Sequence, residues 1–369
     1  MTLLDQPVIT IYDKTGQRLD WLRAPVSVKI TARWWDNGTA ELVVQAADPR
    51  VAMLRAPGAR VQIELRGEHL LGGPVTGEAV DGPPAREWRF RVTDDASLMD
   101  RVMAWPSPDK SMTEQRTDTD QRTGRLESVV KSLIAANAPL TGIPVDVVTD
   151  KGRGPIVTLS ARWQPLSEVV GGVLHANRMA VTARWRPETN RVEVDVAETR
   201  PYNIILSPET RTVTAYSLDL SAPTVTRAVV GDNNTTTVQQ VVNTQAEDEW
   251  GPFLRGARFV NAANTDEAST NASEVLNDGN ARSGMAISLS ESGLVRYGGP
   301  NGLHVGDTAT LNVAGTEITD IVREVTVDWS PGKPLTVTPA VGGWDDSPVF
   351  ALAAAVRRVG AQLRRGLYR

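Results

Sequence analysis

Gly58-Ala59-Arg60-Val61-Gln62-Ile63-Glu64-Leu65-Arg66-Gly67 and Gly306-Asp307-Thr308-Ala309-Thr310-Leu311-Asn312-Val313-Ala314-Gly315 are two stretches of one chain that read alike. Each starts at Gly, alternates apolar with polar residues, and returns to Gly at a hairpin tip. Alternation with period two marks a strand with one buried and one wet face. Each stretch is followed by a second apolar strand. Taken as two ordinary hairpins, the likeness means little. Taken as an internal repeat, it predicts two related β-regions, and a repeat of that kind decides the fold.

Working outward from the first copy, Trp88, Phe90 and Val92 alternate with Glu87, Arg89 and Arg91, and Val28, Ile30, Ala32 and Trp34 alternate in the same way. Asp36-Asn37-Gly38 supplies a turn that tolerates positive φ, after which Leu42 and Val44 resume the pattern. Turn chemistry and period together predict a hairpin. A short helix over 96–103 is expected to end at Trp105-Pro106-Ser107-Pro108. Around the second copy, Val325, Val327 and Trp329 alternate, then Leu335, Val337 and Pro339. A polar stretch over 232–284 interrupts this region, with a helix expected near 266–282 although Gly279 falls inside it.

Between the copies the pattern changes. Residues 109–124 are polar and read as a loop. Leu126, Val129, Val130, Leu133 and Ile134 line one helical face, and Pro139 closes that helix. A second helix is expected to begin at Pro165, with Leu166, Val169, Val170, Val173 and Leu174 on its apolar face. Strands are expected near 180–185 and 191–196. The chain is thus expected to be mainly β with an α+β insert. The expected units are a first β-region over 1–108, an α+β module over 109–211, a second β-region over 212–345, and a C-terminal amphipathic helix over 346–369.

In that last segment Ser347 and Pro348 suit a helix start. Val349, Leu352, Val356, Val359 and Leu363 then recur at alternating spacings of three and four, an a/d seam over about two heptads. Arg357, Arg358, Arg364 and Arg365 flank the seam. Three readings stay open: docking on its own domain, self-association through the seam, or contact with an acidic partner through the Arg face.

Composition excludes several classes. The 369 residues are enough for two or three domains. There is no cysteine, so no disulfide scaffold, thiolate metal site or cysteine nucleophile exists in this sequence. A net charge of −5 argues against wholesale nucleic-acid binding. No apolar run approaches the roughly 18 residues of a membrane span, so stable membrane insertion is not expected. No secretory signal is expected from the first residues either.

The chemistry-bearing residues are scattered. His69, His175 and His304 lie far apart in sequence, without metal-ligand spacing. His304 with Asp307 reads as a turn before a strand. Asp118 and Asp120 lack the rest of a calcium loop, and Gly332-Lys333 lacks the rest of a phosphate loop. Asp94-Asp95 and Asp345-Asp346 read as solvated turn residues. No catalytic, cofactor-binding or metal-ligating residue is assigned, and no cofactor is expected. Ten tryptophans stand against four phenylalanines. Trp34, Trp88 and Trp329 fall on apolar faces and read as core. Trp35 and Trp105 fall off the pattern and are the interface candidates.

In order along the chain come Val8-Ile9-Thr10-Ile11-Tyr12-Asp13, Asp48-Pro49, the hairpin at Val61–Leu65, Gly73-Pro74-Val75, the segment from Trp88 to Pro108 with Ala104-Trp105-Pro106, Trp163-Gln164-Pro165-Leu166, Val305-Gly306-Asp307 and Val341-Gly342 before an Arg-rich end. In that order they resemble the minor tail, or baseplate-hub, proteins of siphophages that infect actinobacteria, over most of the chain. The resemblance implies two tail-tube-like antiparallel β-barrel domains per chain and a homotrimer that presents six such domains in a ring. Such a ring adapts a six-fold tail tube to a three-fold tip. It also implies a place at the tail tip of the virion. Implied partners are a distal tail or tail-tube protein, the tape measure protein and other minor tail proteins, with transient passage of phage DNA. A structural role, not an enzyme, is expected. Two alternatives stay open: a carbohydrate- or receptor-binding tail-tip protein using exposed tryptophans, and a cell-wall-degrading enzyme. The end of the chain at residue 369 is expected to leave no room for a fused hydrolase.

Overall fold

The computed structural model describes residues 6–209, 213–231, 238–261, 265–280, 282–289, 295–299, 301–313 and 316–342. The expected C-terminal helix, with Val349, Leu352, Val356, Val359, Leu363 and its arginines, lies outside the described residues.

The first β-region contains β1 (Val8–Tyr12), β2 (Arg18–Trp21), β3 (Ser27–Arg33), β4 (Thr39–Gln45), the short helix α1 (Arg50–Leu54), β5 (Arg60–Leu65), β6 (Glu68–Val80) and β7 (Glu87–Thr93). Its alternating apolar residues all turn inward: Ile30, Leu42, Val61, Ile63, Phe90 and Val92 are buried. The expected helix over 96–103 is a single 3-10 turn, Asp95–Ser97, running into α2 (Leu98–Arg101).

The α+β module follows as β8 (Met103–Ala104), β9 (Asp120–Arg125), α3 (Leu126–Thr141), β10 (Val145–Val147), β11 (Ile156–Ala161), β12 (Gln164–Pro165), α4 (Leu166–Ala176), β13 (Met179–Arg186) and β14 (Arg191–Glu198). The predicted helical faces of α3 and α4 form its core with Val192, Val194 and Val196. Two expectations shift. The polar loop over 109–124 ends in a strand, because β9 pairs along its length with β11. Pro139 lies inside α3, which runs on to Thr141 and ends at Gly142 in the left-handed conformation (φ 74°).

The second β-region contains β15 (Arg200–Leu206), β16 (Val213–Ser221), β17 (Arg227–Gly231), β18 (Val238–Val242), α5 (Thr244–Trp250), β19 (Ala257–Asn261), α6 (Thr265–Asp278), β20 (Arg282–Leu289), β21 (Asp307–Val313), β22 (Thr316–Trp329) and β23 (Thr336–Gly342). The expected polar interruption is a small unit of its own. Strands β18-β17-β19 form a sheet, and α6 buries Ala272 and Leu276 against Val225, Ala228 and Val230. Helix α6 stops before Gly279, whose Cα lies too close to Val225 for any side chain.

The two β-regions use the same strand order. In the first the path is β1-β5-β6-β7-β4-β3, and in the second it is β15-β21-β22-β23-β20-β16. Every matching pair is antiparallel except the first, where β1 meets β5 antiparallel and β15 meets β21 parallel. The bulges match too. The β6·β7 register shifts between Val75 and Gly77, directly after the pair Val75↔Val92. The β22·β23 register shifts between Val322 and Glu324, directly after Val322↔Val341. A bulge bends its strand and strengthens the twist. It lets β6 and β22 each pair with one hairpin partner in their first half and a different strand in their second. The two regions are not separate sheets, because β3 pairs with β22 from Val28↔Trp329 to Arg33↔Glu324. A single apolar core runs through both.

Candidate functional site: the joint between the two β-regions

The joint begins at β3·β22. Arg33 Nε donates to Glu324 across it at 2.7 Å. The Trp34 backbone N–H donates to the carbonyl of Arg323, the bulge residue of β22, at 2.8 Å. The Trp34 ring lies over Gly306, where φ is +88° and a Cβ would fall 2.3 Å from the ring. Gly306 is therefore needed twice, for its backbone conformation and for the space it leaves.

A second contact ties the β5–β6 hairpin tip to the loop before β21. His304 Nε2 lies 2.6 Å from Glu68 Oε1. The Gly299 N–H donates to the other Glu68 oxygen. Asp307 is buried and accepts both forks of Arg200 at 2.9 Å, and it accepts the His304 N–H at 2.7 Å. The hydrogen bond to Asp307 and the charge of Glu68 raise the His304 pKa, outweighing its burial. Burial would push the Asp307 carboxyl up, but His304 and Arg200 more than offset that and hold it below its ordinary value. So His304 and Asp307 do come together, as part of an interdomain clamp and not as a plain turn.

A third set of contacts fastens the α+β module. Trp35 Nε1 donates to the Met179 carbonyl at 3.0 Å, and its ring packs at 4.3 Å, tilted, against His175. Trp105 packs at 5.5 Å against Trp163, and its backbone N–H donates to Asn137 Oδ1 at 2.8 Å. Both interface candidates are half-buried and make contacts inside their own chain. Trp329 is in the shared core with Trp88 partly buried against it, and Trp34 is buried in a small cluster with Ala180 and Ile321. Trp21, which no periodicity singles out, is 44% exposed, with the Arg18 guanidinium 3.8 Å from its ring centre.

Asp95 corrects the sequence reading of a solvated turn. Its carboxylate is buried, pairs with Arg60, and accepts the Trp185 N–H at 3.0 Å. Burial pushes its pKa up against the pull of Arg60. Asp94 caps the 3-10 turn by accepting from the Ala96 N–H. Inside the module, Glu127 and Lys131 form a buried pair at 2.7 Å, completed by Arg153 and Asp195. Hydrogen bonds from Arg153 and Lys131 hold Glu127 well below the ordinary carboxylate range. Every charge in that network has a partner, which marks a structural network. Among the described residues, no group of three His, Asp or Glu could hold a metal ion. No helix among them is long and apolar enough to cross a membrane.

Residues 8–343 match the family of Siphovirus ReqiPepy6 Gp37-like proteins. The chain belongs to this family. Its fold is similar to that of the 43 kDa tail protein of prophage MuSo2 from Shewanella oneidensis, at TM-score 0.56 and 12% identity, over 90% of this chain and 97% of that one. It is similar to the tail protein from Neisseria meningitidis MC58, at TM-score 0.57 and 11% identity, over 91% and 96%. It is also similar to prophage tail protein gp18 from Listeria monocytogenes EGD-e, at TM-score 0.54 and 11% identity, over 95% and 98%. A search of curated proteins finds no match. By family, then, this is a siphovirus protein, and its fold is that of phage tail proteins.

Proposed function

We propose that this siphovirus family member is a structural hub of the tail tip. Three copies present six similar β-regions in a ring, which joins a six-fold tail tube to a three-fold tip and forms part of the DNA conduit. The units keep the order read from sequence, two β-regions with an α+β module between them and a C-terminal helix, but the module starts before 109, since β8 pairs with β12, and ends before 200, since β15 pairs with β21. The observation that carries the reading is the shared strand order, with its matching bulge, in two regions fused side by side through β3·β22. A ring built from repeated heterologous contacts needs similar units set side by side.

In this reading the chain is not an enzyme. A distal tail or tail-tube protein and the tape measure protein lie on either side of the ring, with other minor tail proteins beyond. The C-terminal seam of Val349, Leu352, Val356, Val359 and Leu363 joins the three copies on the axis, and Trp105 lies near a subunit contact. The saccharide-binding alternative loses support, because Trp35 and Trp105 are both engaged within the chain. An electron-microscopy reconstruction of the particle tests the proposal. Six β-regions alternating about a three-fold axis are expected. A single copy, or β-regions placed off the ring, would refute it.

A further inference from the structure

The matched strand orders also say where one copy should meet the next; this inference rests on the ring proposed above. Within the chain, β22 pairs with β21 in its first half, and after the bulge the same edge pairs with β3. The matching strand β6 pairs with β5 in its first half. After its bulge, that edge carries no strand among the described residues. Glu78, Ala79 and Val80 are exposed there. No Lys or Pro stands on the edge between Val75 and Val80, and its one charge, Glu78, is paired with Arg55 at 3.0 Å. An edge without Lys or Pro, its charge neutralised, is a template for another strand.

The strand that fits follows from the pairing. Ala40 lies between Ile30 and Val92, and Met285 lies between Leu218 and Val341. Val92 matches Val341, so Ile30 matches Leu218 and β3 matches β16. Strand β16 ends the sheet path and, among the described residues, pairs on one edge with β20 alone. Its residue Tyr216 is 46% exposed.

We propose that the outer edge of β6 over Gly77–Val80 pairs antiparallel with the free edge of β16 over Leu218–Ser221 in a second copy of this chain, repeating between copies the β3·β22 joint made within one. The register carries over residue by residue. Val327↔Ile30 and Glu324↔Arg33 become Val80↔Leu218 and Gly77↔Ser221. Ala79 then faces Asp219, and Glu78 faces Leu220. Main-chain hydrogen bonds supply the attachment, as in other cases of strand addition. Each copy offers one edge of each kind, so the contact is head-to-tail, the type of contact from which a closed ring of identical chains is built.

The natural chain has no cysteine, which makes the test clean. Ala79→Cys and Asp219→Cys are introduced together, and assembled particles are oxidised before denaturation. Opposed residues of an antiparallel pair have Cα atoms about 4.5–5.5 Å apart, within disulfide reach. Six strands separate β6 from β16 in one chain's sheet order, so the bond can form only between copies. The expected product is a covalent, reductant-sensitive trimer. The out-of-register pair Ala79→Cys with Thr214→Cys should stay monomeric. In the unsubstituted chain, amide hydrogen exchange at residues 76–80 and 213–221 should slow on assembly. A three-fold particle that cross-links both pairs alike, or neither, and shows no such protection would overturn the strand joint while leaving the ring. A particle with one isolated copy would remove both.

Discussion

Between β3 and β4 the first β-region makes a tight turn through Trp34–Gly38, while between the matching strands β16 and β20 the second inserts a unit with its own sheet, helices and small core. The strand order and bulge survive this difference unchanged. The lesson is where a duplicated β-region is free to vary. Lengthening a surface connection adds little closure entropy. A shift in pairing instead moves every core side chain to the opposite face. The regions differ inside as well. Phe90 occupies the position that Pro339 fills in the second, and Gly73 the one that Asp320 fills.

Four changes test this comparison. The largest effect is expected from removing a bulge. Deleting Thr76, or Arg323 in the second region, shifts one half of a long strand by one residue and should abolish cooperative unfolding followed by circular dichroism. Equal loss from both deletions supports equivalent bulges; a harmless deletion would show that the match is accidental. Next comes the core. Phe90→Ala should lower unfolding free energy by about 3–5 kcal/mol in denaturant titration. Val341→Ala in the second region should cost about 2 kcal/mol, the transfer of two methyl groups. If the order is reversed, the cost is not set by the apolar volume removed from the shared core. A comparable loss is expected from Gly73→Ala, whose Cβ would sit 1.8 Å from the Thr93 carbonyl oxygen, a backbone atom that must move to admit it. Overpacking of this kind costs about 1–3 kcal/mol, read as a fall in the thermal midpoint. Asp320→Ala at the matching position should cost less, since a side chain already fits there.

The smallest effect concerns the clamp. The folded His304 pKa is raised, chiefly by Asp307, so its stabilising share is present below the ordinary value and is lost as pH rises through the folded one. His304→Gln should therefore cost about 1 kcal/mol, the scale of a partly exposed ion pair, near pH ~6 and less near pH ~9. A deficit that grows with pH would show that the imidazolium is not what Glu68 and Asp307 hold.

Much of this was legible in the residues. Period two placed β3, β4, β5 and β7, and helical spacing placed α3 and α4. The two Gly-bounded stretches pointed to the repeat. Strand β9 was hidden because Asp120–Arg125 carries no apolar residue to show a period. The β3·β22 joint was hidden because its partners lie hundreds of residues apart, and alternation says which face is buried but not which strand is next. The Glu68–His304–Asp307–Arg200 clamp was half visible, since only His304 and Asp307 are neighbours in sequence. Asp95 was misread because an acidic pair before a helix looks solvated, and its partners Arg60 and Trp185 come from two other elements.

Equivalence of the two β-regions within one ring is tested by a reconstruction of the assembled tail at a resolution that traces strands, with residues 8–93 superposed on 200–342. One common strand path, bulges at Thr76 and Arg323 in register, and six such regions alternating about a three-fold axis are expected. Two regions at different radii, or a chain standing alone at the tip, would contradict it.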